Sequence, residues 1–162
     1  MEPLHIQSCY PPQYQCCYGC GVSNPQALGV ATFWDGAVGR ATFTPKPEHT
    51  AVPGFVYGGL LASLVDCHGV ATAAAAIADD PRHPPRLVTA SLQVQFLCPT
   101  PLGPPLELTA RLTERRGRKA VVQVEISVQG SVTVRGEVVA APIPAHMAHQ
   151  AAPSSPSAPL TD

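Results

Sequence analysis

Apolar and polar residues alternate one by one along much of the second half of the chain. A period of two is typical of strands that bury one face against a core. Four segments show it, at residues 87–96, 106–112, 120–128 and 132–140. Gln129-Gly130 joins the last two, and Asp35-Gly36 marks an earlier hairpin between residues 29–33 and 37–43. The pattern therefore predicts two groups of strands.

A long apolar run separates these groups. From Gly58 onward, Leu, Ala, Ser and Val follow one another without alternation until Asp79-Asp80-Pro81. Alanine and leucine favour a helix and proline ends one, so the run predicts a single long helix over about residues 58–79. Because this helix is apolar nearly all round, it needs cover on more than one side.

The elements follow the order strand pair, helix, then a meander of four strands. Their connections are too short for parallel crossovers, so we expect an antiparallel sheet and an α+β fold class. The chain of 162 residues has room for one domain. We place it at residues 17–142, between an N-terminal extension (1–16) and a Pro-, Ala- and Ser-rich tail (143–162) expected to be disordered. The curved sheet would cover one side of the helix and a second copy the other.

Composition narrows the candidate partners. Only 13% of the residues are charged and the formal net charge is -1, so no strong field would attract nucleic acid or an anionic membrane. The N-terminal residues lack the charged and apolar regions of a signal peptide. We therefore expect a cytoplasmic protein that binds neither nucleic acid nor membrane.

The six cysteines are expected to be reduced thiols, because the chain shows no sign of secretion. Cys17-Tyr18-Gly19-Cys20 has the spacing of a zinc half-site or a redox pair. A structural zinc site needs four ligands, however, and no second pair of this kind follows. We therefore expect no metal, and interpret this segment as an N-terminal turn and Cys67 as a buried packing residue.

One acid lies in the middle of the predicted helix. Asp66 is the only formally charged residue between Glu48 and Asp79. A carboxylate without a partner is costly in an apolar core, so it either faces solvent on a narrow polar stripe or is retained for chemistry. We favour a catalytic role for Asp66. His68 points about 200° away around the helix, so we expect it to be a core or interface histidine.

Gly58-Gly59 opens the same helix. The first turn leaves backbone N–H groups free and the helix dipole is positive there, so this end can hold an oxyanion. The alternative is a tight turn that uses glycine for its backbone angles. Gly58 and Asp66 lie eight residues apart, which is about 12 Å along a helix and too far for both to act on one carbonyl. Two helices packed antiparallel about a two-fold axis would bring them together, so the spacing predicts a dimer.

Several short motifs accompany these residues. They are C-Y-G-C-G at 17–21 with Asn24-Pro25, P-G-F-V at 53–56, Y-G-G at 57–59 and F-L-C-P at 96–99 with Leu102-Gly103. Over roughly residues 17–142 the chain resembles the hotdog-fold acyl-CoA thioesterases, in particular the phenylacetate-pathway (PaaI-like) type. In that type a His-Gly-Gly element opens the central helix and an acid lies eight residues past its first Gly.

The resemblance implies a hotdog fold, in which an antiparallel sheet of about five to six strands wraps around one long helix. It also implies a homodimer or homotetramer and a hydrolase that cleaves acyl-CoA, with coenzyme A as part of the substrate and no metal or cofactor. Asp66 would be the general base toward water, or a nucleophile that forms an anhydride. The Gly58 N–H of a second copy would polarise the carbonyl, and Thr89 would help to hold the water.

Two positions depart from the family pattern. Tyr57, directly before Gly58-Gly59, stands where the family has His, and a phenol cannot carry a proton near neutral pH as imidazole can. His49 is the candidate to replace an Asn that relatives use on the carbonyl, and the alternative is a solvated loop histidine. Arg116 and Arg118 suit the phosphates of coenzyme A, or belong to a solvated hairpin turn.

A second hypothesis is a protein with the same fold that does not hydrolyse its ligand. Tyr57 and the missing Asn favour a non-catalytic acyl-CoA binding or regulatory protein. A hotdog hydratase would need its own Asp and His pair, and the sequence has no such motif. The identity of the acyl group stays open, as does the choice between dimer and tetramer.

Overall fold

The computed structural model describes residues 2–150, which fold as a sheet around one long helix. In chain order the elements are β1 (Leu4–His5), β2 (Phe33–Trp34), β3 (Gly39–Phe43), α1 (Gly58–Ile77), β4 (Leu87–Phe96), β5 (Leu106–Arg116), β6 (Lys119–Val128), β7 (Ser131–Pro142) and α2 (Ala145–Gln150). Single 3-10 turns occupy Gln7–Cys9, Pro12–Tyr14 and Pro47–His49. The predicted central helix and the four later strands are confirmed to within a few residues.

The seven strands form one antiparallel sheet in the order β1-β2-β3-β5-β6-β7-β4. This arrangement confirms the α+β class and the hotdog fold. The predicted four-strand meander is wrong in one respect, because β4 pairs with β7 at the far edge and not with β5. The segment between β4 and β5 contains four prolines. Because proline has no backbone N–H to donate, this segment cannot form a tight hydrogen-bonded hairpin, and it crosses the domain instead.

The first predicted strand is shorter than its pattern suggests. Residues 29–32 bond to neighbouring loops rather than to a strand. The Val30 N–H donates to the Gly19 carbonyl at 3.1 Å, and the Thr32 carbonyl accepts from the Ile6 N–H at 3.0 Å. The N-terminal segment and the cysteine-containing loop thus satisfy backbone groups that the sequence pattern assigns to the sheet.

Helix α1 is the buried core of the domain. Its apolar side chains pack against the inward-facing residues of β5, β6 and β7. Helix and sheet approach most closely at two glycines, because a Cβ at Gly69 would lie 2.5 Å from Val138 and one at Gly136 would overlap Val65. Although α1 is long and apolar enough to cross a membrane, 67% of its apolar window is buried inside the domain. It is therefore the core helix of a small α+β domain of soluble type.

Gly136→Ala is expected to lower the free energy of unfolding by about 1–3 kcal/mol, because the added methyl group displaces the stiff Val65 side chain. Urea unfolding followed by circular dichroism measures the change. The matched control is the same substitution in a Val65→Ala background, where the space is free. An equal cost in both backgrounds would contradict the assignment of the overlap to Val65.

The N-terminal segment packs on the domain. Ile6 and Tyr10 are buried against Trp34 and against Ala71 and Ala75 in the second half of α1. At the other end of the chain, α2 occupies residues 145–150 of the tail that the sequence predicts to be disordered. The rest of that tail, residues 151–162, lies outside the described part of the chain. β1 and the turns that follow it thus cover the second half of α1.

Candidate active site

A carboxylate and a hydroxyl meet where α1 passes the start of β4. Thr89 Oγ1 donates a hydrogen bond to Asp66 Oδ1 at 2.5 Å. Asp66 is half-buried, whereas Thr89 is exposed on the edge strand of the sheet. The fold therefore brings together two candidate site residues that lie 23 positions apart in the sequence.

The surroundings of Asp66 make it a stronger base than a surface carboxylate. Burial raises the pKa of Asp66, the hydrogen bond from Thr89 opposes that rise, and negative charge at Cys17 adds to it. No basic side chain within residues 2–148 forms an ion pair with this carboxylate. Asp66 thus keeps the basicity that proton transfer from a water molecule requires.

Helix α1 begins with free backbone donors. The Leu60 and Leu61 N–H groups both donate to the Tyr57 carbonyl, at 3.1 and 3.3 Å. The N–H groups of Gly58 and Gly59, in contrast, have no acceptor in the described part of the chain. The Tyr57 ring lies against Gly59, where a Cβ would come 2.5 Å from the ring carbon Cζ. The glycine pair therefore presents two donors at the positive end of the helix dipole.

An apolar cavity of about 590 Å³ opens beside Gly58. Its lining includes Val52, Phe55, Val56, Leu61, Phe96 and Leu97. Asp66 and Thr89 instead line a separate cavity of about 150 Å³. Within one chain, the candidate donor and the candidate base therefore face different cavities, as the eight-residue spacing requires.

His49 lies in the loop before α1, and its ring has structural partners. Its Nδ1 accepts a hydrogen bond from the Lys46 N–H at 3.0 Å, and the ring stacks on Phe43 with centroids 5.8 Å apart. The His49 carbonyl accepts from the Tyr57 N–H at 2.9 Å. It is thus the backbone of His49 that positions the start of α1, while its ring holds the preceding loop.

The basic turn between β5 and β6 lies at the same end of the sheet as Thr89. One row of paired residues crosses β4, β7, β6 and β5 through Thr89, Ala140, Ala120 and Arg115. Measured along the sheet, three strand spacings of about 4.8 Å separate Arg115 from Thr89 by about 14 Å. Arg116 forms an exposed ion pair with Glu114 at 2.8 Å, and Arg118 follows Gly117 in the turn. Both candidate phosphate ligands are therefore exposed at the end of the sheet that carries the Asp66–Thr89 pair.

Three cysteines come together beside Asp66. The Sγ atoms of Cys17, Cys20 and Cys67 all lie within 4.8 Å of one another. Hydrogen bonds from the Cys20 and Cys67 thiols lower the pKa of Cys17, and the same contacts raise the pKa of those two thiols. The cluster is not predicted from the sequence, because Cys67 is 50 positions from Cys17. The sequence features that point to the cluster are the C-x-x-C of Cys17 and Cys20 and the position of Cys67 directly after Asp66.

His68 is confirmed as a core histidine that faces away from Asp66. Its Nδ1 lies 2.9 Å from Thr32 Oγ1, and that hydroxyl accepts from Gln7 Nε2 at 3.1 Å. Because the hydroxyl accepts from Gln7, its own proton is free to point to Nδ1 of a neutral imidazole. Burial lowers the pKa of His68 to about 4, and the Gly39 backbone opposes this effect. The residue thus links the N-terminal segment to α1 as a neutral structural group.

The described residues form a hotdog α+β domain with one half-buried acid, Asp66, on its central helix. The family model described as the Thioesterase superfamily matches residues 53–139, which include α1, β4, β5, β6 and most of β7. The chain belongs to the Thioesterase superfamily. This membership suggests that the protein is a thioester hydrolase.

Solved structures show the same fold. A thioesterase superfamily protein from Shewanella loihica is 44% identical, with 75% of this chain and 97% of that protein covered and a TM-score of 0.63. The E. coli PaaI protein from the phenylacetic acid degradation operon is 20% identical, with 72% and 81% covered and a TM-score of 0.61. AziG from S. sahachiroi is 22% identical, with 72% and 92% covered and a TM-score of 0.61. The last two show the fold alone. No curated protein matches the chain.

Proposed function

We propose that the protein hydrolyses an acyl-CoA thioester to the free acid and coenzyme A. The observation that carries this proposal is the contact between Asp66 and Thr89. It gives a Thioesterase superfamily domain one half-buried carboxylate that is oriented by a hydrogen bond and free of ion pairs with other described residues. Because acyl-CoA substrates are intracellular, we place the protein in the cytoplasm.

Asp66 acts as the general base of the proposed reaction. Thr89 holds Oδ1, so Oδ2 takes a proton from a water molecule while the water oxygen attacks the thioester carbonyl. The carbonyl oxygen becomes an oxyanion, which the Gly58 N–H of a second copy stabilises. The C–S bond then breaks, and the coenzyme A thiolate takes the proton from Asp66. Attack by Asp66 itself, through an anhydride that water hydrolyses, is the second route.

The exposed edge of the sheet supports a homodimer or a dimer of dimers. In β4, residues 89–93 are exposed on both faces of the sheet. Phe96 is 55% exposed and Leu97 is 47% exposed beside the apolar cavity. A long unpaired edge with apolar side chains favours association, and a second copy would cover it. Antiparallel packing of two α1 helices would then bring Gly58 of one copy to Asp66 of the other.

The proposed substrate contacts divide between the acyl end and the nucleotide end of acyl-CoA. The apolar cavity beside the helix start suits a small to medium acyl or aryl-acyl group. Tyr57 and Gly59 border the thioester carbonyl, with His49 behind them. Arg116 and Arg118 bind the phosphates of the nucleotide end, because guanidinium groups donate paired hydrogen bonds to phosphate oxygens.

A non-catalytic acyl-CoA binding or regulatory role is the second candidate. Tyr57 favours it, because this exposed phenol occupies the start of α1 where an imidazole would carry a proton. A panel of acyl-CoAs, assayed for release of free coenzyme A thiol and for binding by calorimetry, separates the two functions. We expect release of the thiol. Binding without release from any acyl-CoA in the panel would support the second candidate.

Thr89→Val is expected to lower kcat by about 10–100-fold, because a hydrogen bond to a charged group contributes about 1.5–3 kcal/mol. The variant keeps the shape of the side chain but loses the donor to Asp66. Initial rates of thiol release on the folded protein measure the change. Thr89→Ser, which keeps the hydroxyl, is the matched control and is expected to retain most of the activity. Equal losses in both variants would assign the effect to packing.

A further inference from the structure

The sulfur atoms of the three-cysteine cluster have the spacing of a tetrahedral metal site. Cys17 Sγ and Cys67 Sγ lie 3.8 Å apart, and all three Sγ atoms, including that of Cys20, lie within 4.8 Å of one another. In a tetrahedral zinc site with Zn–S bonds of about 2.3 Å, neighbouring sulfurs are about 3.8 Å apart. One edge of that tetrahedron is therefore present in the structure, and the third sulfur lies within about 1 Å of completing it.

The backbone of the cysteine loop is shaped around this cluster. A Cβ at Gly19 would overlap Cys67 Sγ, so only glycine leaves space for the third sulfur inside the turn. The Gly21 N–H donates to the Cys17 carbonyl at 2.8 Å, which closes the turn and directs Cys17 and Cys20 to one side. The loop is thus built to receive a thiol from α1.

Charge and space at the cluster suit a bound cation. A cavity of about 150 Å³ is lined by the three cysteines and by Arg86, Asp66 and Thr89. Three thiolates and one Zn²⁺ sum to a charge of about −1, which the Arg86 guanidinium in the same cavity balances. A water molecule needs about 30 Å³ and fits as a fourth ligand. The Asp66 carboxylate is already hydrogen-bonded to Thr89.

We infer that Cys17, Cys20 and Cys67 bind one Zn²⁺ ion, with water as the fourth ligand. Three protein ligands and a water position make this an open site, unlike a closed structural site with four protein ligands. Ligation fastens the N-terminal loop to α1 at Cys67, the residue next to Asp66. Zinc binding is measured without turnover, so this inference and the proposed thioesterase activity can fail independently. The competing use of the same sulfurs is a disulfide, whose S–S bond of about 2.0 Å would require the 3.8 Å pair to move together.

The full chain, purified in a reductant and stripped with a chelator, provides the first test. Addition of Zn²⁺ and removal of the excess should leave one equivalent per chain, measured by elemental analysis. Co²⁺ in place of Zn²⁺ should give the thiolate-to-cobalt charge-transfer absorption of a sulfur-ligated tetrahedral site. Bound zinc should also protect the half-buried Cys17 from alkylation, which mass spectrometry reads in the wild-type chain without any substitution.

Cysteine variants provide the second test. Loss of a residue that only hydrogen-bonds to a metal ligand weakens metal binding by roughly 10–100-fold. Cys17→Ser and Cys20→Ser remove a ligand itself, so each should weaken zinc binding by more than this. They should also abolish the rise in melting temperature that zinc produces in the wild type. Cys16→Ser is the matched control, because Cys16 is exposed, adjacent to Cys17 and outside the cluster. It should behave as the wild type does.

Three results would overturn the inference. The first is the absence of stoichiometric zinc in the reduced wild type together with unprotected cysteines. The second is equal zinc binding by Cys16→Ser and Cys17→Ser. The third is a disulfide within the cluster that forms in the purified protein and persists when zinc is offered, which would assign the cluster to redox chemistry.

Discussion

Asp66→Asn is expected to lower kcat for acyl-CoA hydrolysis by about 10²–10⁴-fold, the contribution of a positioned general base. The amide is nearly isosteric with the carboxylate, and its oxygen can still accept the hydrogen bond from Thr89. Folding and substrate binding are therefore expected to persist while the proton acceptor is lost. Initial rates of thiol release, beside calorimetric binding of the same acyl-CoA, measure the two effects separately.

Asp79→Asn is the matched control for this substitution. It makes the same chemical change at an exposed acid just beyond the end of α1, so kcat is expected to stay at the wild-type value. If Asp66→Asn hydrolysed every acyl-CoA as fast as the wild type, Asp66 would be neither base nor nucleophile. The proposed mechanism would then be wrong.

Gly58→Pro is expected to lower kcat by about 10²–10³-fold, because it removes one backbone donor to the oxyanion. Proline is tolerated at the first position of a helix, and Tyr57 already has the extended backbone, with ψ 127°, that a residue before proline adopts. Gly58→Ala keeps the N–H and is the matched control, since its Cβ would lie 3.4 Å from Phe96. Its kcat is expected to stay within a few-fold of the wild type. Equal loss in the two variants would point to crowding at the helix start.

Mixing the two inactive variants tests whether the site is shared. In a heterodimer of Asp66→Asn and Gly58→Pro chains, one site combines an intact Asp66 with an intact Gly58 and the other has neither. Random re-association should therefore restore about a quarter of the wild-type activity. A site contained in one chain would give no recovery. This outcome distinguishes a shared site from a single-chain site without a structure of the complex.

Local pattern determines the elements of this fold, because helix and strand periods are properties of neighbouring residues. The apolar run from Gly58 predicts α1, and the alternation after Leu87 predicts the later strands. The pairing of β4 with β7 depends on long-range packing, and the expected meander was wrong there. The first strand is short for a related reason, since loop residues distant in sequence satisfy its backbone groups.

At the candidate site, the order of residues alone is enough to single out Asp66 and to show that Gly58 of the same helix cannot act beside it. A charge in an apolar helix has few explanations, and the rise per residue of a helix is constant. The contact of Thr89 with Asp66 and that of Cys67 with Cys17 become visible only in the folded domain. These partners lie 23 and 50 positions apart. No local spacing encodes such contacts, because they depend on how the helix, the edge strand and the N-terminal loop pack together.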